Sequence, residues 1–229
     1  IRSSFIKSNI NYSFRCKTND KWAYLGGTLA KIIAEHKYTE STGIIYCLSR
    51  KECEFMAKVL SNKGVKAKYY HARIPAHEKD QIQTDWLSGK VKVIVATIAF
   101  ALGINKPDVR YVIHTSMPKS IESYYQQTGR AGRDGKPCKC ITFFSEKDKN
   151  TLLGMVSNVS SGGRDLAPPV RNTDRVYEMY KLCNNKNDCI KKQLSVYLGE
   201  NLVRKKCSGK EVKCANCVRV QPTTDYTNL

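Results

Sequence analysis

Two hydrophobic rhythms alternate along most of the chain. Ile10, Tyr12 and Phe14 recur at every second position, the period of a strand. Residues 21–36 carry Trp22, Leu25, Leu29, Ile32 and Ile33 at helical spacing, although the pair Gly26-Gly27 weakens a helix there. Gly43-Ile44-Ile45-Tyr46-Cys47-Leu48 is a short continuous apolar run, as in a strand buried on both faces. A helical pattern over Lys51 to Asn62 stops at Gly64, and a strand pattern covers Lys66 to Tyr70. Pro75 opens a helix through Leu87, since proline is tolerated in the first turn. Val91 to Ala96, Val109 to His114 and Cys138 to Phe144 complete the strands, with helices over about 119–129 and 145–158. Strands alternating with helices predict an α/β fold, a doubly wound parallel sheet with right-handed crossovers.

The rhythm breaks at Ser160-Ser161-Gly162-Gly163-Arg164 through Pro168-Pro169, which reads as a linker. A boundary there divides the chain into a domain over 1–160 and a smaller one over 161–229. Asp174 to Leu182 and Asp188 to Leu198 then form two helices of the smaller unit.

In parallel sheets of this kind ligands sit outside the carboxyl ends of the strands. The loops expected there hold Ser49-Arg50, His71-Ala72-Arg73, Thr97 to Pro107, and Thr115 to Lys119. Small hydroxyls beside lone basic residues suit a phosphodiester backbone, which such groups contact without reading sequence. Ser49, Arg50, His71, Thr97 and Lys119 are therefore candidate nucleic-acid-binding residues. Taken singly, Ser49 also fits a helix N-cap and His71 a structural histidine.

The stretch Tyr124-Tyr125-Gln126-Gln127-Thr128-Gly129-Arg130-Ala131-Gly132-Arg133-Asp134-Gly135 sets two arginines three residues apart among small residues. A guanidinium is permanently charged and presents a planar fork of donors that fits phosphate oxygens. The other reading of this spacing is a helix C-terminus capped by glycine, with basic residues complementing its dipole.

Charge shifts the balance toward phosphate. The chain carries 39 Lys and Arg against 20 Asp and Glu, a net +19, which points to a polyanionic partner, nucleic acid above all. No run of about 18 apolar residues is present to span a membrane, and no signal peptide is visible. A chain that begins with Ile1 reads as a piece of something longer.

There are ten cysteines, five of them between positions 183 and 217. Those in the first part lie in apolar contexts and read as small buried hydrophobes. The tail spaces Cys189, Cys207, Cys214 and Cys217 as C-x17-C-x6-C-x2-C. A two-residue gap lets both sulfurs of Cys214 and Cys217 reach one tetrahedral ion. Cys189 is expected to project from a helix and the other three from a loop. Cys183 is the rival first ligand, and unligated thiols are the remaining alternative.

Together these stretches resemble the RecQ family of DNA helicases. The resemblance is carried by Gly43 to Arg50, Ala96 to Arg110, Tyr124 to Gly135 and the cysteine spacing, and it extends from about Phe5 to Cys217. It implies the second RecA-like lobe of a superfamily 2 helicase followed by a small helical zinc-binding subdomain. It further implies an enzyme that couples ATP hydrolysis, with Mg2+, to 3′-to-5′ unwinding of DNA in repair and recombination in the nucleus. By resemblance Arg133 is the arginine finger, Gln127, Arg130 and Arg133 line the nucleotide cleft, and Arg130 is expected to reach the γ-phosphate beside Arg133 as a second catalytic arginine. Cys189, Cys207, Cys214 and Cys217 become ligands of a structural zinc. Ala101 departs from the glycine usual in that loop. The sequence contains no G-x-x-x-x-G-K-[ST] phosphate loop and no Asp-Glu-x-His, which belong to the first lobe, so this stretch is expected to hydrolyse no ATP alone. A non-catalytic, zinc-stabilised binding module and the lobe of an RNA helicase are the competing readings.

Overall fold

The computed structural model describes residues 4–35, 40–101, 105–159, 169–200 and 206–218. Six parallel strands form one sheet: β1 (Ile10–Cys16), β2 (Thr42–Tyr46), β3 (Ala67–Tyr70), β4 (Val93–Ala96), β5 (Val109–His114) and β6 (Cys138–Phe144). Their spatial order is β1-β6-β5-β2-β4-β3, and every adjacent pair is parallel. All five residues of β2 and all four of β4 are buried, as their unbroken apolar runs require of strands covered on both faces.

The helices divide between the two faces. On one side α1 (Trp22–Ala34) and α2 (Arg50–Ser61) cover the sheet, burying Leu25, Leu29, Cys53, Met56 and Leu60 against Ile45, Val93, Val95 and Ile113. The pair Gly26-Gly27 does not interrupt α1, because the apolar face formed by Leu25, Leu29, Ile32 and Ile33 is fully packed. Tertiary burial outweighs weak propensity in a helix of this length.

The opposite face carries α3 (Ala76–Leu87), α4 (Ile121–Thr128) and α5 (Glu146–Val159). Here Trp86 and Tyr124, both 0% exposed, pack with Tyr12, Tyr46, Ile94, Val112 and Phe144. Pro75 is the N-cap of α3, one residue earlier than the helix itself.

Residues 160–168, most of the expected linker, lie outside the described residues. Pro169 does not belong to a linker: it opens α6 (Pro169–Asn184), a position where its missing N–H costs nothing. After α6 come α7 (Ile190–Tyr197) and a single turn, α8 (Ala215–Val218). Val176, Met179, Leu182, Ile190 and Leu194 share one core with Tyr12, Tyr124 and Phe144. The cysteine-bearing segment is thus seated directly on the β1–β6 edge of the sheet. Among the described residues no helix is long and apolar enough to cross a membrane.

Candidate nucleotide, nucleic-acid and metal sites

Because every strand runs the same way, the loops after β2, β3, β4 and β5 share one edge of the sheet. Ser49 follows β2, and its Oγ accepts the Glu52 N–H at 3.2 Å as the N-cap of α2. The capping alternative is therefore realised in the structure, while the adjacent Arg50 is exposed. His71 follows β3 but presents little surface, being 5% exposed; its Nε2 is paired with Glu54 Oε1 at 2.9 Å and its ring stacks on Tyr69. Thr97 is part-exposed at the end of β4, where its N–H donates to Tyr70 O, and Lys119 is exposed before α4. Residues 102–104 of this rim lie outside the described residues, and the side chain of Ala101 with them.

Thr97, Lys119 and Gln127 are brought together in a cleft of about 210 Å³, with Tyr46, Leu48, Ser116 and α5 residues on its walls. A histidine that the sequence reading missed organises its floor. His114, at the end of β5, is buried between Gln127 Oε1, 2.8 Å from its Nε2, and Thr142 Oγ1, 3.1 Å from its Nδ1. Burial drives its pKa down to about 4, so the ring is neutral at physiological pH. Neutral imidazole donates from one nitrogen only. Gln127 Oε1 has no proton to give, so Nε2 is the donor and Nδ1 accepts from Thr142. Gln127 is thereby fixed in one amide orientation. No spacing signal could have exposed this, since the histidine sits inside an ordinary apolar strand.

The arginine stretch is built differently from a glycine-capped helix end. α4 starts at the Ser120 N-cap, whose Oγ accepts the Ser123 N–H. Its C-cap Gly129 keeps right-handed geometry at φ −59°, and the chain continues in turns. The left-handed residue is Gly132, at φ +54°. Its N–H donates to Val109 O at 2.9 Å and the Asp134 N–H donates to Pro107 O at 3.1 Å, so the loop hangs from the start of β5. This is the amino edge of the sheet, opposite the rim that holds Ser49, Thr97 and Lys119. Arg130 is part-buried; Arg133 is exposed and donates from Nη1 to Asn105 Oδ1 at 2.7 Å. Both guanidiniums act electrostatically on Tyr46, whose pKa burial raises to about 12 and the arginines temper.

The four cysteines converge. Cys189, Cys207, Cys214 and Cys217 place their sulfurs within 4.8 Å of one another. Sγ of Cys189 lies 3.5 Å from that of Cys207 and 3.9 Å from that of Cys214. Tetrahedral coordination at a Zn–S distance of about 2.3 Å separates sulfurs by about 3.8 Å, so the set fits a zinc ion. The hydrogen bond shared with Cys189, then backbone N–H groups of Cys217 and Ile190, lower the Cys214 pKa and favour its thiolate, while the same sharing and then burial push the Cys189 thiol up and burial pushes up that of Cys207. Cys189 is the N-cap of α7, immediately before the helix rather than projecting from within it. Cys217 departs from the expected loop by lying within α8. Cys183 is buried in α6 and outside the cluster, which removes it as the rival ligand.

A doubly wound parallel sheet thus carries an arginine loop on one edge and a tetrathiol cluster docked at its flank. Residues 26–135 match the helicase conserved C-terminal domain, and residues 146–218 match the RecQ zinc-binding domain. The chain is 42% identical over 99% of its length to the ATP-dependent DNA helicase hus2/rqh1 of Schizosaccharomyces pombe, and covers 17% of that protein. It is 37% identical over 99% of its length to the RecQ-like DNA helicase blm-1 of Caenorhabditis elegans, covering 22% of it. In structure it resembles the E. coli DEAD-box protein SrmB, with a TM-score of 0.52 at 25% identity, over 69% of this chain and 86% of that one. The chain belongs to the RecQ family of DNA helicases. It corresponds to their C-terminal motor region and spans about a fifth of these relatives.

Proposed function

We propose that this chain is the second motor lobe of an ATP-dependent 3′-to-5′ DNA helicase acting in nuclear DNA repair and recombination. The observation that carries the reading is the exposed Arg133, with Arg130 beside it, on a loop fixed to the sheet rather than frayed from a helix end. Residues 1–160 form the motor lobe and 161–229 the zinc-binding subdomain in this account. ATP with Mg2+ would bind chiefly to the first RecA-like lobe of the longer protein. Arg133 would then extend to the γ-phosphate, with Gln127 and Arg130 lining the cleft. An arginine supplied in this way is worth about 10³–10⁵ in rate, or roughly 4–7 kcal/mol of barrier.

Arg50, Thr97 and Lys119 would grip the DNA backbone on the carboxyl rim, with Ser49 capping the helix that begins at Arg50 and His71 supporting the neighbouring loop after β3 from within. Such contacts make binding independent of base sequence and steeply dependent on salt. Closure of the two lobes around ATP would shift this rim relative to the other lobe, and hydrolysis would release it. Cys189, Cys207, Cys214 and Cys217 would hold zinc as a structural ion, bracing α7 and α8 against β1. Because the phosphate-loop lobe lies outside this sequence, residues 1–229 alone are expected to turn over no ATP, with or without DNA. A coupled-enzyme assay checks this. ATP turnover by the purified chain that disappears in Arg133→Ala would refute the division of labour.

A further inference from the structure

The arginine loop is held from outside its own elements. The run from Ser4 to Asn11, before and into β1, lies between that loop and the cysteine module. Toward the loop, Lys7 Nζ donates to Gly129 O at 2.8 Å and to Ala131 O at 3.1 Å, the carbonyls on either side of Arg130. Asn9 Nδ2 donates to Gly132 O and Lys136 O, both at 2.8 Å, and the Gly132 carbonyl immediately precedes Arg133. Two side chains thus engage four loop carbonyls. Tyr125 Oη, at the end of α4, donates back to Phe5 O at 2.8 Å.

On its other side the run is anchored by the metal-binding segment. The Ser8 carbonyl accepts from Lys191 Nζ at 2.8 Å and from the Val212 N–H at 2.9 Å. Lys191 is 0% exposed and also donates to Val212 O at 2.7 Å. Asn11 Nδ2 donates to Lys213 O, and the Phe5 N–H to the Glu200 carboxylate. The strap is therefore hydrogen-bonded on both sides, to the arginine loop and to the metal-binding segment.

Lys7 is an odd choice for mere packing. It is half-buried beside Arg133, and burial together with that like charge pushes its pKa down. A cation is retained against repulsion because the carbonyl ends of the α4 turn and loop need a donor that reaches two of them at once.

We propose that Lys7 and Asn9 are positioning residues for Arg130 and Arg133, acting through the loop carbonyls and touching no substrate themselves. The proposal rests on the arginine-finger reading above. The test is steady-state ATP turnover by the longer protein with saturating single-stranded DNA, comparing Lys7→Met, Lys7→Arg, Asn9→Ala, Arg133→Ala and the double variant Lys7→Met/Arg133→Ala. A misplacement of about 1 Å can cost about 10²-fold in rate. Lys7→Met and Asn9→Ala are each expected to lower kcat about 10- to 100-fold. KM for ATP and zinc content should stay near those of the parent, and melting temperature should fall by no more than about 4–8 °C, the cost of two lost hydrogen bonds. Lys7→Arg should restore turnover, since a guanidinium also reaches two carbonyls. The double variant should be no slower than Arg133→Ala alone. If Lys7→Met does not fold, Asn9→Ala carries the comparison. Parent-like kcat in both strap variants, with Arg133→Ala slow, would overturn the proposal and leave the arginine reading standing. A further loss in the double variant, or zinc loss that tracks the fall in kcat, would also overturn it. Parent-like kcat in Arg133→Ala would sink the arginine reading and the strap with it.

Discussion

Gly132→Ala tests how the arginine loop is built. Gly132 sits at φ +54°, where a residue with a Cβ loses about 1–2 kcal/mol. That Cβ would also fall 2.5 Å from Asn9 Nδ2, 2.6 Å from Cys138 Sγ and 3.0 Å from Lys136 O. Cys138 is buried in β6 and cannot yield cheaply, so the Asn9 amide must move and give up its bonds to Gly132 O and Lys136 O. At about 1 kcal/mol per hydrogen bond, the total comes to about 3–4 kcal/mol. For a chain of this size each kcal/mol moves Tm by about 2–4 °C, giving a fall of about 6–16 °C. Gly135→Ala is the internal control, because Gly135 has φ +78° but open space where its Cβ would go. It should lose only the backbone part, about 1–2 kcal/mol. Thermal melting of the zinc-loaded chain by circular dichroism reads both. Equal losses in the two variants would refute the argument that Asn9 and Cys138 pack the loop.

Stability should depend on pH through His114, whose folded pKa of about 4 lies below the unfolded 6.5. The unfolded chain then binds more protons between those values, so the contribution is complete above about pH 6.5 and is lost as pH falls toward 4, reaching about 2 kcal/mol at pH 5. Urea titrations at pH 5 and 7.5 should show this difference in the parent but not in His114→Gln; an identical pH dependence in both would contradict a neutral buried ring. At the metal site, Cys214→Ser should abolish stoichiometric zinc and unfold the segment around α7, since structural zinc supplies about 10–16 kcal/mol in small modules. Cys183→Ala should retain one zinc per chain by elemental analysis, and loss of zinc there would put the ligand set in error.

Much of the fold was written in period alone. The two-face burial of β2 and β4 makes their apolar runs unmistakable, and α2 announces itself with Ser49 at its cap, whereas the Ser120 cap of α4 emerged only in the structure. The cysteine spacing isolated the four sulfurs that converge, because a two-residue gap has a direct geometric consequence. What stayed hidden depends on long-range contact. Lys7 meets its loop carbonyls from more than 120 positions away, and nothing near residue 7 signals that. His114 looks like a strand residue until Gln127 and Thr142 close on it. His71 misled in the other direction: a histidine at a strand tip suggested an exposed contact, yet Glu54 and Tyr69 enclose it. The sequence also placed interesting loops at the carboxyl rim without showing that the arginine loop hangs from the opposite edge, since that follows from the register of Gly132 on Val109.

The most direct measurement is single-turnover ATP hydrolysis by the longer protein, DNA-bound, with Arg133→Ala against the parent. The chemical step is predicted to slow by about 10³–10⁵ while nucleotide binding, read by a fluorescent ATP analogue, stays within a few-fold. An unchanged chemical step in the variant would contradict the assignment of this lobe as the donor of the catalytic arginine.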